Sequence, residues 1–229
     1  TTNIDTGSAV LTWHTPIFGT ASYYTLAYRN LADSDFTIVT LTDTIFTLTG
    51  LDTYTPYEWK VRTNCSSSDQ SDWSETKQFI TEPPIAGLPY ICDFEDSLEN
   101  HYWRMVNKED NGWFIGTATS QSGSHSLYIS NDGGTSHAVT QATNNSNVNQ
   151  FWAYRDVYFD PTYADYQVSL DYQGKSDPWT NLTLFIGESS AAVPSTSNVT
   201  PDGMISSHYI YISNTDSSWN HRSLLLDST

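Results

Sequence analysis

Sixteen carboxylates lie beyond residue 88, and they are the first groups in this chain that could do chemistry. Asp93 and Glu95 stand two apart in Ile91-Cys92-Asp93-Phe94-Glu95-Asp96. A strand there would put both on one face. Like charges so close repel, and one pKa rises unless a cation intervenes. Three readings follow: solvated surface acids, a bound calcium, or a catalytic pair of the glycosidase kind. Calcium draws on carboxylates, backbone carbonyls and amide oxygens. Loops carrying Asp110 and Asp132 offer such oxygens. The run Asn107–Gly112 looks like half an EF-hand loop, but the closing Glu position holds Ala118.

Nucleophilic and zinc chemistry find less support. The six histidines are His14, His101, His125, His137, His208 and His221, and no two are four apart. A zinc helix of the H-E-x-x-H type is therefore excluded. There is no G-x-S-x-G elbow and no Walker loop. Ser122-Gly123-Ser124-His125-Ser126 is the nearest nucleophile-like cluster. Strand alternation would turn Ser124 and His125 to opposite faces. The expectation is a chain that is not an enzyme.

Aromatic rings are the other chemistry. Trp103, Trp113, Trp152, Trp179 and Trp219 are core residues or sugar-stacking platforms. Trp179 follows Asp177-Pro178 in a turn-like stretch, where binding residues concentrate. Trp152 and Tyr154 share a face by alternation, and a core pairing is as natural there as a ligand platform. Arg155 and Asp156 would face opposite ways on the same strand, with Arg155 paired to a cross-strand acid. Cys65 and Cys92 could bridge, or stand as two small apolar side chains. Four N-x-S/T sequons occur, at Asn64, Asn144, Asn181 and Asn198.

The elements that must position these groups are strands. The chain has 229 residues, with 30 Thr, 29 Ser and 14% aromatics. Such a composition suits half-buried strands. A net charge of −17 argues against nucleic acid and anionic lipid surfaces. No apolar run is long enough for a transmembrane helix. Six short alternating runs fill the first part: 8–14, 22–29, 36–41, 44–51, 56–65 and 74–81. Helical periodicity is absent, so this part reads as a β-sandwich. The segment 83–88 reads as a proline-containing linker. Residues 89–229 form a second run of strands and polar loops. An antiparallel sandwich of jelly-roll type is expected there.

Residues 1–82 resemble a fibronectin type III domain. Trp13 sits where that family places its core Trp. Tyr57, in Leu51-Asp52-Thr53-Tyr54-Thr55-Pro56-Tyr57, sits where it places its tyrosine-corner residue. The family's first strand is mostly missing.

Residues 89–229 resemble a MAM-like jelly roll, and more closely the gingipain-type cleaved adhesin domain of Bacteroidetes surface proteins. The anchors are Cys92-Asp93-Phe94-Glu95-Asp96, Trp103, Asp110-Asn111-Gly112-Trp113, Ser122–Leu127, Tyr128–Gly134 and Ala153–Phe159. The resemblance implies calcium held by Glu95 first and Asp93 second, with Asp110 and Asp132 as further ligands. It also implies a secreted or cell-surface bacterial module that binds a host or matrix protein or a glycan beside other domains of a larger parent. Family members continue past Leu226-Asp227-Ser228, so both ends are expected to be truncated. The remaining expectations are a carbohydrate-binding accessory module or a structural spacer.

Overall fold

The computed structural model describes residues 1–140, 150–174, 182–188, 191, 194, 201–210 and 218–227. Among the described residues the chain is all-β apart from one five-residue helix, and it divides into two compact units, Thr1–Pro84 and Ile85–Thr229.

The first unit is a sandwich. One layer pairs β1 (Ser8–Thr12) with β4 (Ile45–Thr49). The other runs β3 (Thr37–Leu41), β2 (Tyr23–Asn30), β5 (Pro56–Asn64) and β6 (Lys77–Ile80), all antiparallel. Alternation decides what goes inside. Tyr57, Trp59 and Val61 of β5 point into the core with Leu11, Leu26 and Leu48. Trp13 follows β1 and packs on that core, with ring centroids 5.7 Å from Tyr24 and 6.2 Å from Trp59. Ahead of β1 the chain forms one antiparallel bridge, in which Thr2 and Val10 exchange both backbone hydrogen bonds.

Tyr57 pins the approach to β5. Its ring stacks on Phe79 at 5.6 Å, and its hydroxyl oxygen accepts the Asp52 N–H at 2.9 Å. Burial raises the pKa of the phenol, so it stays neutral.

In the second unit, β7 (Arg104–Val106) pairs with β10 (Trp152–Tyr154), and the hairpin of β8 (Gly112–Gly116) and β9 (Ser126–Ser130) lies between them in sequence. The nesting repeats: β11 (Asp165–Tyr172) pairs with β14 (Asn220–Asp227) around the hairpin of β12 (Leu182–Gly187) and β13 (Met204–Ile210). Among the described residues these are two-stranded ribbons, not the continuous sheets expected of a jelly roll. The segment read as a linker is partly structural here. Ala86 donates to the Asp156 carbonyl and accepts from the Tyr158 N–H.

The run 91–96 forms no strand. Asp93 Oδ1 accepts the Glu95 N–H, and Phe94 takes a φ of 64°. Asp96 then caps α1 (Ser97–His101) by accepting from Leu98 and Glu99 N–H groups. Short polar side chains that bond the local backbone compete with a ladder, and here they win. The supposed strand 151–159 stops at Tyr154, so Arg155 and Asp156 lie beyond it. Both cysteines are free.

Tyr57→Phe leaves the Asp52 N–H without its acceptor, and we expect it to cost about 1 kcal/mol. Urea unfolding followed by Trp fluorescence checks this, with a lower midpoint for the first unit and an unchanged slope.

Candidate functional site

The expected calcium ligands do not gather around a shared point. Glu95 is bound by four protein donors. Its Oε1 accepts the backbone N–H groups of Ser124 (2.6 Å) and His125 (2.7 Å). Its Oε2 accepts the Ser124 hydroxyl and faces His125 Nδ1, both at 2.9 Å. A carboxylate offers about four lone-pair sites, and all are used. These bonds, His125 first, pull the Glu95 pKa from 4.5 down to about 2. Gly123 makes the close approach possible. A Cβ there would fall 2.3 Å from Glu95 Oε1, and its φ of 64° also favours glycine.

Asp93 spends one oxygen on the Glu95 N–H. Asp132 accepts the Ser130 hydroxyl (2.6 Å), the Ser136 N–H (2.9 Å) and the Ser136 hydroxyl (2.7 Å), which bring its pKa to about 2. Asp110 is exposed in a loop pinned by asparagines. Asn107 brackets the Trp113 backbone, and buried Asn111 exchanges hydrogen bonds with Thr140. No group of three His, Cys, Asp or Glu that could hold a metal occurs among the described residues.

Ser124 and His125 do meet, at 3.0 Å, because Ser124 lies in the turn before β9, where strand alternation does not apply. The arrangement is still no hydrolase relay. A relay sets the acid on one ring nitrogen and the nucleophile on the other. Here Glu95 and Ser124 both lie against Nδ1.

The aromatic candidates fare similarly. Trp152 packs on Phe185 at 4.9 Å, and the Arg104 guanidinium lies 5.2 Å from the Tyr154 ring. Trp179 lies outside the described residues. The acid that Arg155 finds is not across a strand but on α1. Arg155 Nε donates to Glu99 Oε1 at 2.7 Å, and its side chain is only 3% exposed. Glu99 also accepts from Tyr90, whose oxygen accepts from Trp103 Nε1. Arg155 holds the Glu99 carboxyl below its ordinary range, while burial and then Glu99 push the Tyr90 phenol far up. Arg104 pairs with Asp156 alongside.

Sequence reasoning missed the loop 13–22 of the first unit. It is tied at both ends. The Trp13 N–H donates to Thr44 O (3.0 Å), and Ser22 donates to Asn64 O (2.8 Å) and Cys65 O (2.6 Å). Between the ties, Ile17 and Phe18 are 91% and 90% exposed. Adjacent large apolar residues in a turn-forming run were the available signal.

Residues 1–79 match the family model for the fibronectin type III domain. The first unit is a fibronectin type III domain. Members of this family are generally non-catalytic modules. Two solved structures are similar to part of the chain. One, described as a computer-based redesign of a β-sandwich protein, is 32% identical, with 36% of this chain and 87% of that chain covered and a TM-score of 0.33. The other, described as a myokine structure, is 19% identical, with 36% and 88% covered and a TM-score of 0.32. No curated protein matches the chain.

The Glu95 bonds imply acid sensitivity with a definite sign. Above pH 4.5 the carboxylate is ionised whether the chain is folded or unfolded, and its stabilisation is complete. As pH falls from 4.5 towards 2, the unfolded chain takes up the proton first and that stabilisation is lost. Thermal unfolding across this window should show the advantage of wild type over Glu95→Gln shrinking as pH drops. A pH-independent gap would contradict the assignment.

Proposed function

We propose that the chain is a non-catalytic adhesion or ligand-binding module of a secreted bacterial surface protein, joined to other domains of a larger parent. The observation that carries this reading is the pair Ile17 and Phe18 at the tip of a loop anchored at both ends. Apolar side chains left this open cost solubility, and their burial against a partner is favourable. Loops on a rigid sandwich are a common place for binding residues. The partner proposed is a host or matrix protein or a glycan outside the cell. The −17 net charge suits a solvated surface module and opposes nucleic acid.

Adhesion of beads coated with the chain to immobilised collagen, laminin, fibrinogen and mucin checks the proposal. Saturable binding to at least one surface is expected. Ile17→Ser with Phe18→Ser should remove most of it without lowering the unfolding temperature. No binding to any surface favours a structural spacer.

A further inference from the structure

The outer face of the β3-β2-β5-β6 layer carries a strip that the composition hides. Ten acids and four bases occur before residue 85. Three of those bases lie on this face, because Glu58, Lys60 and Arg62 alternate with the inward Tyr57, Trp59 and Val61. They stack on rings. Arg29 lies 4.4 Å from the Phe36 centroid, Lys60 lies 4.4 Å from Phe36 and 5.2 Å from Trp73, and Arg62 lies 4.6 Å from Trp73. Arg29 is neutralised by Glu58 at 2.7 Å. Lys60 and Arg62 enter no ion pair among the described residues, so their charge remains open to a ligand.

Arg62 and Trp73 also line a cleft of about 310 Å³ with Trp13, Tyr24, His14 and Asp72. That volume is at the lower end of small-molecule sites. Its wall combines the Arg62 cation with the Asp72 carboxylate and the Thr63, Ser71 and Ser74 hydroxyls. Trp13 Nε1 and Arg62 Nε are buried and meet no acceptor. The unpaired Arg62 cation calls for an anionic oxygen. Asp72 calls for a hydroxyl, which a simple carboxylate lacks. The aromatic wall suits the apolar face of a ring.

We propose that this cleft binds a carboxylate-bearing saccharide of the hexuronate class, with the sugar ring against the aromatic wall and the carboxylate on Arg62. Lys60 is next along the strip and meets a second carboxylate in an oligomer. The cleft is a site apart from the Ile17–Phe18 loop, and the proposal goes beyond the adhesion reading.

Isothermal titration of the full chain with tetragalacturonate and with cellotetraose tests it. The acidic sugar should bind at least about tenfold more tightly than the neutral one. Arg62→Gln should lose about tenfold of that affinity, and Arg62→Lys should recover part of it. No heat with tetragalacturonate, or equal affinity for both sugars, overturns the cleft proposal. Adhesion that persists through Ile17 and Phe18 in that event leaves the wider reading standing.

Discussion

A carboxylate oxygen has only so many lone pairs, and in the second unit the protein's own donors take them. Glu95 is filled by Ser124 and His125, Glu99 by Arg155 and Tyr90, and Asp132 by Ser130 and Ser136. Each of these bonds spans a loop that no ladder holds. Two-stranded ribbons are weak units by themselves. Acid-centred hydrogen bonds to charged or polar donors are among the stronger ties available to join them. Glu95, Glu99 and Asp132 are therefore structural acceptors, and the Ser124–His125–Glu95 geometry is not that of a relay.

The first unit solves the opposite problem. Its core is apolar and its strands are continuous, so the surface is free to carry unusual groups. Two devices result. A tied loop holds Ile17 and Phe18 out in solvent, and aromatic rings, in place of acids, hold Lys60 and Arg62. Stacking on a ring fixes a cation's position without cancelling its charge. A salt bridge would have fixed it and spent it, as happens to Arg29 with Glu58.

Much of the fibronectin type III unit was legible in the sequence because alternation is strict there. All six expected strands are present within one to three residues, Trp13 packs on the core, and Tyr57 in β5 reaches back to the Asp52 N–H in the turn before it. The second unit was less legible, for a local reason. Asp93, Asp96 and Asn100 bond nearby backbone and turn an apolar-polar run into a loop and a short helix. Period-two patterning cannot register that competition. The cleft was illegible for a different reason, since Trp13, Arg62 and Trp73 come together only when the ends of β1 and β5 meet.

The central claim is that Glu95 is an internal acceptor and not a metal ligand. Carbon-13 NMR of the side-chain carboxyls, titrated from pH 7 downwards with and without millimolar calcium, measures this at the atom concerned. The account predicts a Glu95 pKa near 2, against an ordinary 4.5, and the same titration curve in both conditions. A Glu95 resonance that titrates near 4.5, or that moves when calcium is added at neutral pH, would contradict it.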